Sequence, residues 1–229
     1  MGWERVRHSE IPRGFSVERA RYAQRRIAEL VIEEDFVGTH VRRAAGVDVS
    51  FRENYAIGVA VVVERDTFSV IDVSIAKTEV RFPYIPTLLG FRETYPAYKA
   101  LKGLREEYDV LFVDGNGRLH PYRAGFACQL GLVIDKPTIG VAKSLLIGEI
   151  GNWNNDVAPV IYQGETIGVA LKTSPRAKPI YVSVGHKISL WKAVQVTRDF
   201  TRTGLREPEP LRQAHNYSVK AHASQRETS

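Results

Sequence analysis

Two aspartates sit where burial ordinarily excludes a charge. Asp48 lies between Val47 and Val49 in the alternating segment AGVDVSF at 45–51, and Asp114 closes the apolar run Val110-Leu111-Phe112-Val113. A carboxylate among strand residues is costly to bury unless it is paired or bound to a cation. The carboxyl ends of parallel strands line the natural crevice of an open α/β sheet. Two such acids on neighbouring strands could hold Mg²⁺, which takes one or two carboxylates together with water and substrate phosphate. A structural alternative stays open, with Asp48 bonded to nearby backbone and Asp114 starting the Asp-Gly turn. Glu93, in Phe91-Arg92-Glu93, reads on its own more readily as a solvated helix carboxylate paired with a nearby Lys or Arg than as part of a site. Lys143 follows Ile139-Gly140-Val141-Ala142. It is a surface lysine, or, beside a metal, a group that neutralises a phosphate or a leaving oxygen. His120, His186 and His215 are candidates for proton work, although a lone histidine is more often structural.

Pro83-Tyr84-Ile85-Pro86 is a second unusual feature. Two prolines stiffen a loop carrying an aromatic and a β-branched side chain. Such a loop can push between stacked bases, or it can be a rigid connection whose Tyr and Ile pack inward.

These residues need elements to position them. Residues 16–34 carry apolar groups at helical spacing. Residues 45–51, 56–64 and 68–77 read as three strands, the last two joined by Arg65-Asp66-Thr67, and so as an antiparallel meander. The loop at 81–90 runs into a helix that Thr87 or a neighbour could cap. Pro96 should kink or break that helix, with helical pattern resuming to about Glu107. A strand at 109–114, a loop at 115–121, a helix at 122–133 and a strand at 137–142 follow the pattern of parallel crossovers. Further strands are expected at 159–171 and 179–184, with Gly164-Glu165-Thr166 as a turn, and a helix at 191–200. Residues 204–229 hold Pro208 and Pro210 and then a polar stretch expected to fray. The layout is a single α/β domain with a central mixed sheet flanked by helices, the order of a ribonuclease H-like fold.

Composition excludes several classes. The chain has 229 residues, 44% hydrophobic and 25% charged, which are ordinary globular values. One cysteine, Cys128, rules out an internal disulfide framework and a Cys-rich zinc site. The longest apolar stretch runs only from Ala56 to Val63, far short of a membrane span. The start, MGWERVRHSE, has no hydrophobic signal core, so a soluble cytoplasmic protein is expected. No GxxxxGK[ST] loop, GxGxxG turn or HExxH pair is present, which weakens NTPase, dinucleotide and zincin readings. The net charge is +6, but residues 44–171 hold 12 basic and 15 acidic groups, against 11 and 4 in residues 172–229. The basic C-terminal quarter could attract a phosphate backbone or be a solvated surface.

Together these pieces resemble the endonuclease V (deoxyinosine 3′-endonuclease) family. The resemblance is carried by AGVDVSF at 45–51, FPYIPTLLGFRE at 82–93, VDGNGRLHPYRAGFACQLGL at 113–132, PTIGVAKSLLIG at 137–148, PIYVSVGHKISL at 179–190 and PEPLRQAH at 208–215. It implies a ribonuclease H-like fold and Mg²⁺-dependent phosphodiester hydrolysis, with Mn²⁺ as a substitute. It makes Asp48 and Asp114 the metal-binding aspartates, Glu93 and His215 the rest of the catalytic cluster, and Lys143 the lysine beside it. Pro83, Tyr84, Ile85 and Pro86 become the wedge at the lesion, with His120 among the DNA-binding residues. Leu89, Gly115, Gly125, Phe126 and Leu146 would form the pocket for a flipped hypoxanthine, with Phe126 where some relatives carry an aliphatic residue. Backbone groups near Gly115 and Gly125 would then read the base. The implied product is a nick at the second phosphodiester bond 3′ to the lesion, with 3′-hydroxyl and 5′-phosphate ends. The expected partner of this monomer is deoxyinosine DNA, with other deaminated bases and inosine RNA as further candidates. The alternatives are an endoribonuclease specific for inosine and a non-catalytic inosine- or structure-binding protein.

Overall fold

Valine-rich segments with β-branched side chains form strands, and the structure, a computed structural model describing residues 16–226 apart from positions 53, 81 and 176, joins them into one sheet. In chain order the strands are β1 (Arg43–Phe51), β2 (Tyr55–Glu64), β3 (Val70–Glu79), β4 (Val110–Asp114), β5 (Thr138–Ala142), β6 (Glu149–Ile150), β7 (Val157–Tyr162), β8 (Glu165–Leu171) and β9 (Ile180–His186). Their order across the sheet is β3-β2-β1-β4-β5-β9-β8-β7-β6. The first three form the expected antiparallel meander. β1, β4 and β5 run parallel, and β5 meets β9 antiparallel.

The helices are α1 (Val17–Leu30), α2 (Leu89–Leu101), α3 (Phe126–Ile134), α4 (Leu190–Asp199) and α5 (Glu209–Arg226). Alternation along the strands sends side chains to two apolar layers. Ala45, Val47, Leu111 and Val113 meet Ala97, Ala100, Phe126 and Leu130 of α2 and α3. Ala44, Val110, Phe112 and Ile139 meet Val194, Phe200 and Leu211 on the other face. There α5 also lays Ala214 and Tyr217 against Ile57, Val59 and Val61 of β2.

Several local expectations change. Thr87 caps nothing: the residue before α2 is Leu88, with no side-chain cap bond, because Thr87 stands at φ 66 and turns its hydroxyl to the Pro86 carbonyl. α2 continues through Pro96 and ends at Leu101, short of Glu107. The helix expected from 122 starts at Phe126, because Gly125 donates its N–H to Gly117 O at 3.0 Å and Arg123 is at φ 52. The hairpin turn after β7 falls on Gln163 and Gly164, both at positive φ.

The largest change is at the C-terminus. The stretch expected to fray forms α5 as far as Arg226. Its first turn is anchored by Glu209, a fully buried carboxylate that accepts from Arg212 Nε at 2.9 Å, Arg212 Nη2 at 2.7 Å and Gln213 Nε2 at 2.6 Å. A buried charge so bonded pins the helix start. The end of the chain past 226 and the MGWERVRHSE segment lie outside the described residues. No helix among the described residues is long and apolar enough to cross a membrane.

Two details of register position the site. Val47 pairs with Val113 across the parallel strands, so Asp48 and Asp114, the next residues, emerge side by side at adjacent carboxyl ends. Gly46 lets α5 lie directly on β1, since a Cβ there would be 2.2 Å from the Pro210 carbonyl oxygen. Gly46→Ala should therefore push α5 off the sheet and cost about 1–3 kcal/mol of stability. Urea unfolding of the two proteins checks this.

Candidate active site

The two aspartates anchor a cluster drawn from both faces of the sheet. α5 brings His215 Nδ1 to 3.8 Å from Asp48 Oδ2. One turn further along the same helix, Ser218 hydrogen-bonds Asp48 and lies 2.9 Å from Ser50 Oγ. Lys143, just past β5, places Nζ 2.9 Å from Asp114 Oδ2 and 3.1 Å from Glu207 Oε2. Arg206 holds the Lys143 backbone through Nη2 to its carbonyl at 2.7 Å. Glu93 approaches from α2, near enough for both aspartates to act on its charge.

The electrostatics record the crowding. Burial pushes the Glu93 carboxyl up to about 8, with Asp114 and Asp48 adding to the shift and Arg92 opposing it. Burial also raises Asp48; the Ser218 hydrogen bond opposes that, Asp114 adds to it, and His215 and Lys143 draw it back. Burial alone would lower the Lys143 ammonium, but Asp114 and Glu207 outweigh it and hold it above its usual value. Among the described residues no three His, Cys, Asp or Glu side chains make a ready metal cage. Mg²⁺ does not require one, since two carboxylates, water and a phosphate suffice. Hard oxygen donors whose mutual repulsion Lys143 and His215 only partly offset fit such a cation.

A cavity of about 280 Å³ opens beside the cluster. Glu93 and Asp114 line it together with Leu89, Gly115, Gly125, Phe126 and Leu146, the five residues expected for a base pocket, and with Tyr84, Pro86 and His120. Tyr84 is 56% exposed, which removes the inward-packing alternative for it, while Pro83 is buried. His120 is only 5% exposed. Its Nδ1 accepts the Tyr122 N–H at 3.2 Å, its ring also bonds the Thr87 backbone, and burial pushes its pKa down to about 4. It is a mostly buried ring that reaches the cavity from its wall. His186 is buried at the other end of the sheet, opposite Thr138 at the start of β5, and is remote from the cluster.

The pocket glycines answer to the fold first. Gly115 N–H bonds Val141 O and Gly125 N–H bonds Gly117 O, each at 3.0 Å, so neither amide is free for a base. A Cβ on Gly125 would lie 2.1 Å from Asn116 O. The cavity instead holds a polar group that the sequence reading passed over. Asn116 lines it, and Asn116 Oδ1 is buried without a hydrogen-bond partner. Ser218 and Glu207 were also missed. The spacing of Leu211, Ala214, Tyr217 and Ala221 was the signal that would have revealed α5, and with it Ser218. Much of the C-terminal positive charge is engaged internally: Arg198 with Asp156, Arg202 and Arg212 with Glu209, and Arg206 with the carbonyls of Lys143, Lys178 and Pro179.

Three antiparallel strands leading into parallel ones, with Asp48 and Asp114 side by side on the parallel pair β1 and β4, define a ribonuclease H-like fold. Within that class the chain belongs to the endonuclease V family, whose sequence model, Endonuclease V, matches residues 25–216. Endonuclease V of Thermofilum pendens is 62% identical over 214 residues, covering 93% of this chain and 92% of that protein. The crystal structure of endonuclease V from Streptomyces avermitilis superposes with a TM-score of 0.84 at 34% identity, covering 94% of this chain and 97% of that one. Endonuclease V of Ciona intestinalis, in complex with a 24mer DNA containing an inosine followed by a ribo-adenosine, gives 0.82 at 29% identity, covering 91% and 98%.

The crowded carboxylates predict a pH-dependent stability. Glu93 titrates near 8 when folded against an ordinary 4.5. Between those values the folded protein keeps a proton that the unfolded chain has lost, so stability falls as pH rises through that window. A divalent cation relieves the same repulsion. In calorimetry with EDTA, Tm should drop from about pH 5 to about pH 8. Mn²⁺ should raise Tm more at the higher pH, and Glu93→Gln should flatten the metal-free slope.

Proposed function

We propose that this protein is a DNA repair endonuclease, dependent on Mg²⁺ or Mn²⁺, that recognises deoxyinosine and hydrolyses the second phosphodiester bond 3′ to it. The products are a 3′-hydroxyl and a 5′-phosphate. The observation that carries this reading is that the carboxylate cluster of Asp48, Asp114 and Glu93 adjoins an open cavity, with Asp114 and Glu93 belonging to both. A nuclease without base selection has no use for such a cavity. A binding protein has no use for crowded carboxylates where phosphate must approach. The inosine in the DNA bound by the Ciona relative supports the same substrate class.

Extruding the base costs a few kcal/mol for unstacking. The exposed Tyr84, on the loop from Pro83 to Pro86, fills the gap left in the stack. The flipped hypoxanthine enters among Leu89, Phe126 and Leu146. Asn116 lines the same cavity, and its Oδ1, buried and without a partner, would turn toward the cavity to accept from the protonated N1. Adenine carries a bare acceptor at N1 and would face that oxygen with a second lone pair. Asp48 and Asp114 would hold the divalent cation, and Glu93 would orient the water or complete the donor set. A bound divalent cation supplies charge stabilisation at the phosphate and leaving oxygens. His215, with its ring beside Asp48 and largely exposed, accepts or positions the proton of the attacking water. Lys143, steadied by Glu207 and Arg206, places its ammonium against developing negative charge.

A nicking assay on an end-labelled duplex with one deoxyinosine tests this. A single cut at the second bond 3′ to the lesion is expected in Mg²⁺ and none in EDTA, with losses of at least about a hundredfold in Asp48→Ala and Asp114→Ala. Cutting only the matched inosine RNA would move the substrate to RNA, and no cut in either would overturn the reading. Asn116→Leu should lose about tenfold on the inosine duplex, the equivalent of one buried hydrogen bond. The same assay measures it.

A further inference from the structure

We propose that Gln24, on α1, is a positioning residue for the strand-separating loop, holding Pro83–Pro86 through the Thr87 carbonyl. The proposal rests on the reading of that loop as a wedge. α1 buries only Ala20 and Gln24, and Gln24 is fully buried. A glutamine is an unusual residue to bury completely, and each of its polar atoms must then be bonded.

Its bonds lead to one place. Gln24 Nε2 donates to Thr87 O at 2.6 Å, and its Oε1 accepts from Arg21 Nη1 at 2.8 Å. Arg21 itself reaches Thr87 O and Pro86 O, each at 3.4 Å, while its guanidinium lies 4.5 Å over the Tyr122 ring. From the cavity side the His120 ring bonds the same Thr87 backbone. Three side chains from two distant parts of the chain therefore converge on the foot of one loop.

The residue they hold needs holding. Thr87 sits at φ 66, a left-handed conformation that a β-branched side chain adopts only when its surroundings impose it. Immediately after it, Leu88 N–H bonds Ile85 O at 2.9 Å and closes the turn behind the wedge. The loop thus has a fixed foot and an exposed tip, Tyr84. A wedge works only if it resists the restacking of the bases it separates, and a foot free to leave φ 66 would let the tip swing. Gln24 is not among the residues lining the cavity, and its hydrogen bonds go to Thr87 and to Arg21, so it acts through the foot of the loop. That separation gives the proposal a distinctive consequence: the clamp matters where strands must be opened and not where they are already apart.

The test compares nicking of a fully paired deoxyinosine duplex and of the same deoxyinosine strand unpaired, by wild type, Gln24→Ala and Gln24→Glu. The glutamate variant keeps the volume but, ionised, has no donor for Thr87 O. Expected is a loss in kcat/KM on the order of ten- to a hundredfold on the duplex, with the single strand within about threefold of wild type. The Mn²⁺-induced rise in Tm should be unchanged. An equal loss on both substrates, or no loss on either, overturns the clamp. Wild type that cuts neither substrate overturns the endonuclease reading beneath it, and the clamp with it.

Discussion

Like charges placed side by side in a partly buried site repel strongly, and the parallel pairing of β1 with β4 leaves Asp48 and Asp114 no other arrangement. Most of the neighbouring structure answers that repulsion. Lys143 sits on Asp114, Ser218 and His215 sit on Asp48, and Glu93 holds its proton to about pH 8. The supporting parts are themselves supported. Glu207 and Arg206 fix Lys143, and the buried Glu209 with its arginines fixes the start of the helix that delivers His215 and Ser218. Gly46 is what allows that helix to approach at all. An arrangement this crowded with negative charge is poorly suited to an empty site and well suited to a cation.

The cavity is built with the same economy of movement. Asp114 leads into a loop whose backbone is tied at every turn: Gly115 to Val141, Gly117 to Ser183 Oγ, Gly125 to Gly117, and Ala127 to Asn116. The glycines there are demanded by contact of backbone with backbone. Gly117 would press a Cβ to 2.0 Å from Val184 O. This wall of the cavity is therefore held by backbone hydrogen bonds and close packing, the kind of preorganised surface that the proposed base recognition needs.

What the sequence showed and what it hid divide along a physical line. Strands with period-two alternation, the meander and the acids at strand ends were legible, because each is a local pattern whose cause lies within a few residues. Asp48 and Asp114 stood out since a carboxylate in a valine strand has no cheap explanation. α5 was missed because Pro208 and Pro210 and the polar residues after them looked like an ending, although its apolar spacing was present. The bond of Glu207 to Lys143 and of Gln24 to Thr87 span 64 and 63 residues, and no local pattern announces such partners. The glycines at 115 and 125 were read as openings for a ligand, when their first duty is to let one loop pack on itself. The basic C-terminal segment reads as a phosphate-attracting or a solvated surface, and four of its arginines also form ion pairs or hydrogen bonds within the chain.

The central claim is that Asp48 and Asp114 form one divalent-metal site at the mouth of the base cavity. Anomalous scattering from a crystal soaked in Mn²⁺ tests it most directly. The account predicts a single strong peak at about 2.1 Å from a carboxylate oxygen of each aspartate. A peak bound elsewhere, or none at these two side chains at millimolar Mn²⁺, would contradict it.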